Sequence, residues 1–262
     1  MEENEKGKEV WREIAIECIK TFSAQRKALS NFVKQNEKNR KNIAIFLLSR
    51  RILSNIRAIF ELAKWSYQHQ GNLFFKLPVG LLLRNSLTDC ITGLYLLRQD
   101  DKTVEQILDL QNHDYAKALF HEFEVYRDKI KFSNFDDVMA EHLYTMCLED
   151  TFIHHLDLNE DNKKIEPLNE RNMWKARKRK DILPDFPNED PHIKNMWKFL
   201  NQDTELGSCA DSLYAYYKFF SQWEHFSEYG TGDILANFGE DNIKMPMTFD
   251  HIKHALHVLL PT

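Results

Sequence analysis

The chain has 262 residues, a formal net charge of −5, and only eight glycines and seven prolines. So few turn-formers argue against an all-β protein, and the mildly acidic balance provides no global positive field to attract nucleic acid. Eighteen Phe, nine Tyr and five Trp supply ample material for one large core, so disorder over the whole chain is excluded.

In chain order, Trp11, Ile14, Cys18, Phe22, Leu29 and Phe32 recur at helical spacing and predict an amphipathic helix over 10–33. The polar run 35–42 breaks it. A second long helix is expected over 43–68, with Phe46, Leu53, Ile56, Phe60 and Ala63 on its apolar side and Gly71-Asn72 as its stop signal. After Pro78 comes the most apolar segment of the chain, which predicts a central, buried helix. The next helix opens at Asp101 and Thr103, where Thr103-x-x-Gln106 matches a capping box, and runs on through Tyr115 to Tyr126. Ser133 caps a fifth helix expected over 135–156.

Residues 157–192 differ in texture: polar, with four of the seven prolines and a basic run at Lys175, Arg177, Lys178, Arg179 and Lys180. They read as an insertion or connector with one short helix. The basic run is expected to be a solvated loop, with Trp174 beside it. Helical patterns return over 192–200, 208–228 and 249–260. The expectation is an all-α protein, a single helical domain over 1–262 built as a bundle of long antiparallel helices with a polar, loop-rich insertion.

The charged N-terminus MEENEKGKEV lacks the apolar stretch of a signal peptide, and no apolar run approaches the ~20 residues that span a bilayer. A cytoplasmic protein without membrane contact is expected. Cys18, Cys90, Cys147 and Cys209 are widely separated and form no C-x-x-C pair, so they read as reduced thiols. No cofactor or metal is expected. His251, His254 and His257 recur every three residues, and i,i+3 spacing can set two imidazoles, such as His251 and His254, on one metal, as in a metal-dependent helical enzyme. The positions drift by ~60° per step, so the three could not converge without help from elsewhere, and packing or surface roles are the expectation. There is no H-E-x-x-H, Walker A loop, G-x-G-x-x-G or G-x-S-x-G.

Two segments carry candidate chemistry. On a helix turning ~100° per residue, Tyr214, Lys218, Ser221, His225 and Glu228 fall within one arc, flanked by Tyr217, with Tyr216, Phe219, Trp223 and Phe226 as a second stripe. Ser221 and His225 are four apart, within reach of each other on one helix face, and Lys218 on that face suits an anion such as phosphate. The second segment is Arg84, set in the apolar stretch 81–97 with Asn85, Thr88 and Asp89 as polar company. A charge in a central helix is costly unless paired. Arg84 therefore reads either as an anion-binding arginine facing the His225 helix or as half of a buried pair that fixes packing.

At these segments the sequence resembles a family of bacterial helical proteins known only as a domain of unknown function. Leu82-Leu83-Arg84 is similar to its L-L-R-S-L-x-E helix, and Tyr217-Lys218-x-x-Ser221-x-x-x-His225 to its later Y-R-x-x-S-x-x-x-H. More distantly it resembles the HEPN superfamily, whose bundles include metal-independent RNases of toxin and phage-defence systems. The resemblance covers the bundle helices and not 157–192. It implies His225, Lys218 and Arg84 as catalytic residues, with Tyr217, Ser221, Asp89 and Asn85 in binding roles. It also implies RNA or a nucleotide as partner, and a homodimer. The sequence departs from the pattern twice. Lys218 stands where active members carry arginine, and lysine cannot grip a phosphate bidentately. The acidic residue, Asp89, comes one place late, which rotates it off the Arg84 face. The rival expectation is a non-catalytic interaction module whose Arg/Lys/Ser/His cluster is structural.

Overall fold

In a computed structural model, the structure describes residues 2–35, 39–69, 76–112, 114, 118, 156–157, 175–176, 191–222 and 249–260. Across them the protein is all-α. The chain divides into two compact units, Met1–Gln99 with Pro191–Thr262, and Asp100–Asp190. The second unit takes in both the helix opening after Asp100 and nearly all of the polar stretch 157–192.

Three long helices open the first unit: α1 (Glu2–Gln35), α2 (Arg40–Gln68) and α3 (Lys76–Arg98). Asn39 starts α2: its backbone is extended and its side-chain oxygen accepts the amide of Asn42 at 2.8 Å, satisfying one of the donors a helix start leaves free. Pro78 lies in the first turn of α3, where a missing N–H breaks no ladder bond, so the helix begins before the proline rather than after it.

α2 and α3 run antiparallel. Lys41 Nζ donates to the Gln99 carbonyl (2.6 Å), Arg51 meets Asp89, and Asn55 Nδ2 donates to Ser86 Oγ (3.2 Å), so contacts descend one helix as they climb the other. The expected central position of α3 is what the structure shows. Val79, Leu83, Leu87 and Ile91 are wholly buried, and the helix packs against α2 and against three later helices among the described residues of this unit. Those are α5 (Ile193–Asn201), α6 (Gly207–Ser221) and α7 (Phe249–Val258). Trp11, Ile14 and Cys18 of α1, Ile56 and Ile59 of α2, Leu200 of α5, Leu213 and Phe220 of α6, and Ile252 and Leu256 of α7 join α3 in one core.

α7 closes over α1. Trp11 meets Phe249 edge-to-face with centroids 5.1 Å apart, and Lys253 pairs with Glu13 at 2.8 Å. Thr21 Oγ1 donates to the Leu256 carbonyl (3.1 Å) and Gln25 Nε2 to the Leu259 carbonyl. Side chains of the first helix thus satisfy carbonyls at the end of the last, which α7's own ladder cannot reach.

The α5–α6 connection is pinned by Asp203, whose Oδ1 accepts the amides of Glu205 (2.8 Å) and Leu206 (3.0 Å). Those bonds, with Arg98, hold its carboxyl below the usual range. Arg98 at the end of α3 bridges Asp203 at 2.9 Å and Glu205 at 2.5 Å. Gly207 follows, where a Cβ would stand 3.0 Å from the Asn201 carbonyl oxygen, so any larger residue would crowd that backbone.

In the second unit, helix α4 covers 101–112. Its cap is Asp100, which accepts the Thr103 amide at 2.8 Å; the hydroxyl expected to begin a capping box sits inside the first turn. The described part of the polar stretch and its edge is an antiparallel pair of two-residue strands, β1 (Leu156–Asp157) and β2 (Lys175–Ala176), with Leu156 opposite Ala176. Of the fifth helix expected over 135–156, only Leu156 is described, and it lies in β1 rather than in a helix; the remainder of that helix and the rest of the basic run lie outside the described residues. Among the described residues no helix is long and apolar enough to cross a membrane.

Candidate functional site

The two candidate segments meet where α3 crosses α6. Arg84 leaves α3 half-buried and its Nε donates to Ser221 Oγ at 3.3 Å. Its guanidinium carbon stands 5.6 Å from the centroid of the Tyr217 ring, a cation–π placement. Ser221 in turn donates to the Tyr217 carbonyl at 2.7 Å, one helical turn back, which fixes the hydroxyl so that its lone pair is open to Arg84. Thr88 Oγ1 donates to the Arg84 carbonyl at 3.0 Å, a bond within its own helix.

Behind Tyr217 the rings continue in a stack. Tyr217 and Tyr214 lie 5.9 Å apart at 26°, and Tyr214 and Trp197 of α5 4.4 Å apart at 10°. Trp197 Nε1 donates to Asp211 Oδ1 at 2.7 Å, which ties α5 to α6. Tyr214 and Tyr217 are one turn apart and their proximity was readable from spacing. Trp197 enters from a separate helix, and nothing in the chain order points to it.

The other predicted residues are placed as follows. Lys218 is exposed in the last turn of α6, where a cation also complements the helix C-terminus. Asn85 is exposed on α3. His225 lies outside the described residues, as do Trp223, Phe226 and Glu228. Asp89 is turned away from Arg84: it is buried, and both its oxygens are taken by Arg51 of α2, one at 2.7 Å. Burial raises its carboxyl above the usual range, and Arg51 offsets part of that rise. The most buried line of α6 is Ala210, Leu213 and Phe220, with Tyr214, Tyr216 and Phe219 half-buried beside it.

Arg84, Tyr217 and Ser221 are therefore brought together, with Lys218 on the same helix as an exposed cation. The arrangement offers a guanidinium, a hydroxyl and an aromatic edge. Those groups suit an anion with a flat base better than they suit a metal. Among the described residues no three His, Cys, Asp or Glu side chains gather as metal ligands. His251 instead stacks on Phe219 at 4.1 Å, and burial there lowers its imidazole below the ordinary value against the opposing pull of Asp250. Cys18, Cys90 and Cys209 are free thiols, and burial pushes the first two up to about 12, so they stay protonated and unreactive.

The architecture and site define an all-α protein with one polar contact between its central helix and a late helix. No family model matches the chain, and no curated protein or solved structure is similar to it.

Proposed function

We propose that this is a HEPN-like helical protein that binds RNA or a nucleotide on the face where Arg84 meets α6. The observation that carries the reading is the Arg84–Ser221 contact over the Tyr217 ring, at 3.3 and 5.6 Å, which sets a guanidinium beside an aromatic surface with Lys218 one residue further along. A phosphate would be held by Arg84 and Lys218, and a base would lie against the tyrosines. If the site cleaves, His225 acts on the ribose 2′-hydroxyl, and Lys218 in place of arginine makes the phosphate grip single-pronged and the reaction slow. The reading carries with it a homodimer and a cytoplasmic location.

A second reading is a non-catalytic interaction module in which the cluster holds α3 to α6. What favours it is that Arg84 is half-buried and already joins two helices.

The test is fluorescence anisotropy with a labelled single-stranded RNA, and gel cleavage of the same RNA, on wild type, Arg84→Gln, Lys218→Arg and His225→Ala. Binding whose salt slope falls by ~0.7 in Arg84→Gln supports a phosphate contact there. Lys218→Arg should tighten binding, and His225→Ala should abolish any cleavage while leaving the thermal midpoint close to wild type. A wild type that neither binds nor cleaves RNA, with a clearly destabilised His225→Ala, leaves the module reading in place.

A further inference from the structure

A separate cleft lies along the seam of α1 and α2. Its floor is apolar, formed by Phe22, Ile56 and Phe60, and its mouth is charged, with Arg26, Arg57 and Glu61 around it. The cleft is open on one side and its volume is about 390 Å³, inside the range of about 300–1,000 Å³ typical of small-molecule sites. The periodicity explains the lining. On α1, Cys18 and Phe22 point inward while Ser23 and Arg26 follow on the outer flank; on α2, Ile56 and Phe60 point inward and Arg57 and Glu61 are their outward neighbours. Ile56 is fully buried, whereas Ile19 at the lip is 54 % exposed, so the cleft has apolar side chains both at its floor and at its mouth.

The charges narrow the choice of ligand. Among the described residues neither Arg26 nor Arg57 makes an ion pair or side-chain hydrogen bond. A structural role in clamping α1 to α2 through those heads therefore has no support, while their stems can still cover the seam. Two guanidiniums against one carboxylate leave a net charge of about +1 at the mouth, which suits a monoanion better than a dianion or a cation. Apolar depth with a single positive end fits a molecule with an apolar body and one anionic head.

We propose that this cleft binds an amphipathic monoanion, its aliphatic or aromatic body on Phe22, Ile56 and Phe60 and its carboxylate or sulfonate between Arg26 and Arg57. Binding is non-covalent, since the Cys18 thiol at the floor is neutral at ordinary pH. The site is independent of the contact between Arg84 and α6.

Two fluorescent probes that share one body test it on the full chain: 1-anilinonaphthalene-8-sulfonate, a monoanion, and N-phenyl-1-naphthylamine, its uncharged counterpart. The sulfonate should bind saturably at one site and be displaced by decanoate. Arg26→Gln with Arg57→Gln removes both charge-assisted contacts, each worth about tenfold, and should weaken it by at least about tenfold while leaving the uncharged probe nearly unchanged. Glu61→Gln should tighten the sulfonate. Ser23→Trp, an exposed position at the lip, should weaken both probes by filling the cleft. All three positions altered for charge are exposed, so circular dichroism should show wild-type helicity. The proposal is overturned if the sulfonate shows no saturable binding, if the double variant leaves its affinity unchanged, or if Ser23→Trp affects neither probe.

Discussion

α3 carries an arginine contact on each of two seams, and they differ in what the arginine meets. Toward α2, Arg51 reaches in from solvent, its side chain 64 % exposed, to a carboxylate on Asp89 that is 1 % exposed. Toward α6, Arg84 reaches from α3 to a hydroxyl that already donates to its own helix. A buried carboxylate without its cation is stranded, whereas Ser221 without Arg84 keeps the Tyr217 carbonyl as partner. The first contact is required by the fold. The second strands no buried charge when it is lost, so it should weigh less on stability.

Stability measurements can break this comparison. Arg51→Ala should be the most damaging change, costing about 2–3 kcal/mol in denaturant unfolding; the figure is kept below that of a fully buried pair because water reaches the guanidinium. Adding Asp89→Leu should recover much of that loss, because an apolar residue needs no partner. Arg84→Ala should cost about 1 kcal/mol, the sum expected of one hydrogen bond and a partly exposed cation–π contact. A cost for Arg84→Ala equal to that of Arg51→Ala would make the α6 contact structural after all.

Smaller effects come from titration. The folded Asp89 carboxyl is raised above its ordinary value, so the native state binds its proton more readily than the unfolded chain. Its contribution is greatest at pH below the ordinary value and declines as pH rises through the folded one; Asp89→Asn should flatten that slope of stability against pH. His251 provides the opposite sign. Its imidazole is lowered, mainly by burial, so its contribution is full above the ordinary value of 6.5 and is lost as pH falls through the lowered one. His251→Phe keeps the stack on Phe219 and should remove that acid-side loss, the smallest effect of the series.

The helices were legible because they are long and their apolar residues keep a 3.6 period. The segment apolar nearly all round was correctly read as central, since only a helix flanked on several sides needs that pattern. Boundaries were less legible. Pro78 looked like a start signal but sits in the first turn, and Thr103 looked like a cap where Asp100 serves. Asp100 and Thr103 are both good cap formers three residues apart, and a proline suits the first turn as well as the position before it, so spacing alone does not choose. That Arg84, Tyr217 and Ser221 would be neighbours was legible because Arg84 and Ser221 interrupt apolar stretches of two helices. The partner of Asp89 was not, because Arg51 is one of two adjacent arginines on a helix surface and only tertiary packing selects between them. The cleft between α1 and α2 also escaped notice: Phe22, Ile56 and Phe60 read as ordinary core positions until two helices are set side by side.

The bonds from Thr21 and Gln25 to the end of α7 join parts of the chain about 235 residues apart. On a ribosome adding ~5–20 residues per second, ~10–50 s pass between the appearance of those side chains and of the carbonyls they serve. Throughout that interval Trp11 has no Phe249 to lie against, so the nascent chain carries an uncovered indole and an open apolar flank. Until α7 emerges the α1 face lacks the cover it has in the folded protein, so factors that hold emerging chains should engage the first helix during synthesis.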